Sequence, residues 1–171
     1  MSKWVEIYTD CSFHPTHKIA AYAFGVCSAT LPTIKYVANI IPFSVDSSTL
    51  GELIAITEGL YKAHRLTLKK NIFGFRVITD SKGAQKMIAD GTHRHYEVRK
   101  QLQRIEALRN RGFLIHVYWT KAHTQNSTTM NATINNKVDR LAKQELRKHI
   151  KALTHGNQNN DIRIYQDGKP R

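Results

Sequence analysis

Hydrophobic and polar positions change period several times along the chain, and each change marks an element. The opening run Trp4-Val5-Glu6-Ile7-Tyr8-Thr9 is β-branched and aromatic, reads as a strand, and ends at Asp10. Residues 19–28 and 34–42 repeat that character, with turn material at His14-Pro15-Thr16 and Leu31-Pro32-Thr33 between them. Connections this short predict antiparallel hairpins. The period then becomes helical. Leu50, Leu53, Ile54, Thr57, Leu60, Tyr61 and His64 recur on one face, with Ser47, Ser48 and Thr49 as candidate caps. Residues 73–79 return to strand, and residues 81–89 read as a short helix broken by Asp90-Gly91-Thr92. A charged amphipathic helix over 95–111 stops before Gly112, and residues 113–119 alternate through Phe113, Ile115, Val117 and Trp119. A loop rich in Ser, Thr and Asn at 124–133 precedes a final helix over 134–153.

The order β-β-β-α-β-α-α-β-α predicts an α/β architecture: a mixed five-stranded sheet, antiparallel meander first and crossover strands second, flanked by helices. Residues 1–153 form one expected domain without internal repeats. The tail 154–171, with Gly156, Asn157, Asn159, Asn160 and Pro170, is expected to be flexible. Alternation of Ile162, Ile164 and Tyr165 leaves a docked strand as the alternative.

Length and charge narrow the function. A chain of 171 residues, 41% hydrophobic and 23% charged, fits one globular domain with a real core. Lys and Arg number 26 against 13 Asp and Glu, a formal +13. Such an excess points to a polyanion, with nucleic acid ahead of an anionic membrane surface. No apolar run approaches the roughly 18 residues of a membrane span. The start, Met1-Ser2-Lys3-Trp4, carries no signal-peptide core. Two cysteines, Cys11 and Cys27, make no disulfide framework and fit a reducing, intracellular and cytoplasmic setting. Nothing in the chain calls for an obligate protein partner, and a monomer is expected.

Four acids carry candidate chemistry. Thr9-Asp10 and Thr79-Asp80 repeat one design, an aspartate ending a hydrophobic strand with a serine within two residues. Strand ends meet in space, so these two carboxylates can converge on one cation. Each acid also has a plainer role open to it. Asp10 and Asp80 can form turns or cap helices, and for Asp80 alone, ahead of Ser81, capping is the better reading. Glu52 fits a capping box in Thr49-Leu50-Gly51-Glu52, although its helical neighbours Ala55, Ile56 and Gly59 make a small, apolar face where a carboxylate needs a partner or a metal. Asp139 suits the first turns of a helix, where the dipole favours an acid. His123 is one of nine histidines. His93-Arg94-His95 has the look of a ligand pair, but zinc there is not expected without cysteines beside it.

Taken in order, Thr9-Asp10-Cys11-Ser12, Ser48-Thr49-Leu50-Gly51-Glu52-Leu53, Ile78-Thr79-Asp80-Ser81, Trp119-Thr120-Lys121-Ala122-His123 and Asn135-Asn136-Lys137-Val138-Asp139-Arg140-Leu141-Ala142 resemble type 1 ribonuclease H. The resemblance covers residues 3–153. It implies a ribonuclease H-like fold and hydrolysis of the RNA strand of an RNA·DNA hybrid by two divalent cations, magnesium with manganese as a substitute, leaving 5′-phosphate and 3′-hydroxyl ends. Hard cations take oxygen ligands. By the same analogy Asp10 bridges both ions, Asp139 helps hold the ion that activates water, and Glu52 and Asp80 hold the ion at the leaving oxygen. His123 corresponds to a loop histidine that assists proton transfer or product departure, and Asn135 to a supporting polar position. Backbone at Cys11, Ser12 and Gly51 would sense 2′-hydroxyls. Ser48, Thr49 and Lys82, with Arg94, Arg99 and Lys100 further along, would meet phosphates of the other strand.

The chain departs from the family pattern in several places. Cys11 stands where glycine is common, Ser48-Thr49 where two asparagines are frequent, Lys82 where glutamine is, and Ala122 where bacterial members have glycine. The loop between His123 and Asp139 is longer than in compact bacterial members, and residues 90–100 carry Tyr96 but no tryptophan. Two competing functions remain: a nuclease of the same fold acting on another substrate, of transposase or junction-resolvase type, and a nucleic-acid-binding module without catalysis. A pure binder gains nothing by placing four acids opposite phosphates.

Overall fold

The computed structural model describes residues 3–121 and 130–166, with side chains described as far as residue 155. Five strands and four helices follow one another as β1 (Trp4–His14), β2 (Ile19–Cys27), β3 (Lys35–Ile40), α1 (Ser48–Leu66), β4 (Gly74–Thr79), α2 (Lys82–Asp90), α3 (Tyr96–Arg109), β5 (Leu114–Trp119) and α4 (Met130–Gln166). The sheet order is β3-β2-β1-β4-β5. β1, β2 and β3 pair antiparallel, whereas β4 joins β1 and β5 joins β4 in parallel. This is the expected mixed sheet, meander first and crossovers second. Between β1 and β4 the strand order reverses direction, and in open α/β sheets such a switch point opens a crevice at the carboxyl ends of the strands.

Alternation along β1 feeds two cores. Val5 and Ile7, with Cys11 and Phe13, face α1 and join Leu53, Ile56, Leu60, Phe75, Val77, Ile105 and Leu108. Tyr8 points the other way, with Ala23, into the stripe Ile134, Val138 and Ala142 of α4. That stripe at spacing four is what seats α4 on the sheet. α1 lies between the sheet and α3, which explains why Leu50 to Thr57 are buried without a break. Its close approach depends on Gly59, where a Cβ would come within 2.8 Å of Ile7 Cγ2.

Apart from β1 and α4, element ends fall within one or two residues of the sequence expectation. β1 does not end at Asp10. It continues to His14 because β2 stays paired with it from Glu6 to His14, after parallel pairing with β4 stops at Tyr8. α4 begins at Met130, inside the expected loop, and runs past residue 153 to Gln166. Residues 162–165 therefore belong to a helix rather than a docked strand. Among the described residues no helix is long and apolar enough to cross a membrane.

Candidate active site

Register explains why two aspartates meet. Tyr8 pairs with Ile78 across the parallel strands, so continuing both chains by two residues brings Asp10 level with Asp80. The threonines before them are buried and tie the strand ends down. Thr9 Oγ donates to the Ile78 carbonyl at 3.4 Å, and Thr79 Oγ accepts from Ser81 N at 3.2 Å. Glu52 reaches the same point from α1, and single oxygens of Asp10, Glu52 and Asp80 lie within 4.8 Å of one another. The Cys11 peptide N–H sits between two of them, 2.7 Å from Asp10 Oδ1 and 2.9 Å from Glu52 Oε1. Asp139, on α4, is near enough for its charge to act on Asp10, but it does not join the other three within 4.8 Å.

The plainer roles do not survive this geometry. Ser47 caps α1, its Oγ accepting from Leu50 N at 3.2 Å, so Glu52 is no capping-box glutamate. Ser81 caps α2, accepting from Ala84 N at 3.1 Å, which displaces Asp80 from the cap. Because α4 starts at Met130, Asp139 lies in its third turn, beyond the reach of the helix N-terminus. Asp10 lies within a strand rather than in a turn.

Crowding these acids is electrostatically costly. Burial, then the charges of Asp80 and Asp139, push Asp10 up from its usual range to about 7, against the lowering effect of the Cys11 N–H. Burial and the charges of Asp10 and Asp80 push buried Glu52 well above its usual value too. Glu52 Oε2 is buried with no hydrogen-bond donor. A buried anionic oxygen without a donor beside two further carboxylates is a donor set for a hard, oxygen-seeking cation. The residues fit divalent metal. Lys143, one turn after Asp139, approaches both of its oxygens, at 2.7 and 2.9 Å. Lys143 joins the site without belonging to any of the motifs, its only sequence signal being the i, i+4 spacing from Asp139.

Other expected site residues sort clearly. Cys11 turns its side chain toward α1, where any Cβ at Gly51 would collide with its Sγ. The thiol is driven upward by burial and by Glu52 and Asp10, so it is inert rather than nucleophilic. Ser12 follows in β1, half-buried. Ser48 is exposed and Thr49 half-buried at the start of α1, where Thr49 packs on Gly83 of α2. The starts of the two helices therefore adjoin, with Lys82 beside them, its Nζ 4.2 Å over the Trp119 ring. Asn135 is half-buried one turn before Asp139. Arg94, Arg99 and Lys100 are exposed around the start of α3, away from the acids in sequence and element. His95 Nε2 lies 3.5 Å from Asp46, and His93 Nδ1 accepts from the His95 N–H. His123 and Ala122 lie outside the described residues.

An open sheet ordered β3-β2-β1-β4-β5, with acids at the carboxyl side of its two central strands, defines a ribonuclease H-like α/β fold. A family model described as RNase H matches residues 2–147, and the chain belongs to that family. No curated protein sequence matches it. Among solved structures, it resembles the N-terminal RNase H domain of rv2228c from Mycobacterium tuberculosis, solved as a fusion with maltose binding protein. Identity there is 20% and the TM-score 0.67, covering 88% of this chain and 98% of that one. RNase H1 from the halophilic archaeon Halobacterium salinarum NRC-1 is similar at 16% identity and TM-score 0.63, covering 85% and 98%. LC11-RNase H1, solved in complex with an RNA/DNA hybrid, gives 12% and 0.67, covering 85% and 99%.

Proposed function

We propose that this chain is an endonuclease that hydrolyses the RNA strand of RNA·DNA hybrids with two divalent cations, magnesium first among them. The observation that carries the reading is the convergence of Asp10, Glu52 and Asp80 within 4.8 Å, with Asp139 near enough for its charge to act on Asp10. Family membership supports it, as does the hybrid bound by LC11-RNase H1. Asp10, Glu52, Asp80 and Asp139 are the residues that would hold metal. Bound there, divalent cations supply a hydroxide-like water near neutral pH and positive charge at the attacking and leaving oxygens.

The chain's own groups do the rest. The Cys11 N–H orients Asp10 and Glu52 toward one point, so little reorganisation is left for the reacting complex. Lys143 holds Asp139 in place until a competing cation arrives. Ser48, Thr49 and Lys82, at two adjoining helix starts, form a polar, cationic surface suited to phosphates of the uncleaved strand. Backbone at Cys11, Ser12 and Gly51 would sense 2′-hydroxyls of the cleaved strand, and His123 would assist proton transfer or product departure.

The deciding experiment is cleavage of matched RNA·DNA, RNA·RNA and DNA·DNA duplexes with magnesium, manganese or EDTA. Cleavage confined to the RNA of the hybrid, abolished by EDTA and leaving 5′-phosphate and 3′-hydroxyl ends, is expected. Preference for a DNA duplex or a branched junction would instead select the other nuclease reading.

A further inference from the structure

The face of the sheet that carries Asp10 is only half covered. α4 packs on β1, β2 and β3, and among the described residues no helix packs broadly on the same face of β4 and β5. The rows Glu6–Arg76–His116 and Tyr8–Ile78–Tyr118 identify what this open half displays. Trp4 and His116 have ring centroids 5.1 Å apart, and His116 and Tyr118 meet edge-on at 6.2 Å. The Arg76 guanidinium lies 4.8 Å over the Trp4 ring. Tyr118 is 46% exposed and Leu114, level with Trp4 across β4, is 54% exposed.

One exposed tyrosine needs no explanation. A continuous ladder of three rings capped by a guanidinium, on an open sheet, is a different object. Its rings are polar at the rim and carry a cation, which suits planar bases and phosphate better than an apolar protein surface. Sheet-borne aromatic rings are how several nucleic-acid modules hold unpaired bases. Position adds weight. Two residues beyond Tyr8 and Ile78 on the same face stand Asp10 and Asp80, about 7 Å further along the strands. Ser48, Thr49 and Lys82 begin helices that pack on the other face of the sheet, so the ladder is a separate surface from theirs.

We infer that Trp4, Arg76, His116 and Tyr118 form a binding surface for single-stranded nucleic acid, which holds unpaired nucleotides adjoining the hybrid by stacking. The continuity with the acids rests on the nuclease reading; the composition of the ladder does not. Arg76 brings a single guanidinium, with Glu6 beside it in register, so stacking dominates and binding here responds weakly to salt.

The test uses the full chain in EDTA, with fluorescence anisotropy of short oligouridylate and oligothymidylate. Tyr118→Ala and His116→Ala are expected to weaken binding roughly 5- to 150-fold, and Tyr118→Phe to retain it. Circular dichroism should show unchanged folding, since both side chains are exposed. Cleavage of a blunt hybrid should be unchanged, while a hybrid with a single-stranded extension should show a raised KM in the alanine variants. Equal oligonucleotide affinity in wild type and Tyr118→Ala overturns the proposal and leaves this face to a protein partner. Failure of the wild type to cleave any hybrid sinks the nuclease reading instead, and the anisotropy comparison still judges the ladder.

Discussion

At Cys11 a single peptide N–H serves two carboxylates, and the rest of the site follows from how poorly that one donor satisfies them. Glu52 keeps a buried oxygen without a donor, and Asp10 is pushed up to about 7 by burial and by Asp80 and Asp139. A carboxyl that binds its proton more tightly when folded favours the folded state at low pH. That contribution is complete below its ordinary value of 3.8 and is lost as pH rises toward about 7. Glu52 acts in the same direction. In EDTA, the urea midpoint should therefore fall as pH rises across that window, and Asp10→Asn should flatten the fall. Magnesium should restore stability at neutral pH, because it binds the folded arrangement alone. A midpoint in EDTA that climbs over the same window would contradict this account of the acids. In turnover the direction reverses. Asp10→Asn or Asp80→Asn keeps the shape and removes ligand charge, so hybrid cleavage should drop by several orders of magnitude with the fold intact. Near-normal magnesium-dependent cleavage by either variant, purified free of host nuclease, would remove these residues from the site.

At the scale of elements, α1 meets β1 through a matched pair. Any Cβ at Gly51 would overlap Cys11 Sγ, whereas Cys11 Cβ lies 3.5 Å away, an ordinary contact. Gly51→Ala should cost about 1–3 kcal/mol by overpacking, and Cys11→Ala in the same chain should recover most of it. Denaturant unfolding of the two single variants and the double variant tests the coupling; additive losses would mean that the two residues do not meet. This pair also shows what the chain discloses by itself. Alternation and helical spacing announce every strand and helix in order, because each needs one apolar face. They do not announce where a strand stops, since β1 outlasts its parallel partner only by virtue of β2. Nor do they separate three consecutive hydroxyls as caps, a matter settled by Ser47 reaching Leu50 N. The polar start of α4 resembles a loop in composition, and its helix is anchored by a tertiary bond, Tyr8 OH to Asn131 Oδ1 at 2.7 Å. The acids were legible as a set because motif order fixes them. Asn131 and the ring ladder were not, because each depends on neighbours remote in sequence, and Lys143, although one turn from Asp139, has nothing in the sequence to set it apart from the other cations of α4. For the connection between β5 and α4, sequence alone speaks: His123→Ala should lower kcat by roughly 10- to 1,000-fold with little change in hybrid affinity. Single-turnover against steady-state cleavage checks this, and a loss as deep as that of Asp10→Asn would make His123 a primary group rather than an assistant.

Over the whole molecule, charge and chemistry are segregated. A chain of formal charge +13 gathers Asp10, Glu52, Asp80 and Asp139 at one end of one sheet. Basic residues are distributed around them, over 62–76, 94–111 and 137–151. Several of those cations are already engaged: Arg104 with Glu58 at 2.6 Å, Arg109 with Glu106 at 3.3 Å, Lys143 with Asp139. The net excess still leaves many to meet phosphate, and phosphate contacts release counterions whatever the base sequence. Hybrid binding should thus be steeply salt-dependent and nearly indifferent to sequence. Contact with about five phosphates gives a log-log slope of affinity against salt on the order of −4. The measurement is titration of catalytically silent Asp10→Asn with hybrids of unrelated sequence across a range of potassium concentrations. Removing the exposed charge of Arg94 or Arg99 should reduce the steepness by about one contact each, whereas Tyr118→Ala should leave the slope unchanged. A slope near zero would mean that the basic stretches are solvated faces only, and that the hybrid is held by the acids, their metals and the backbone at Cys11 and Gly51.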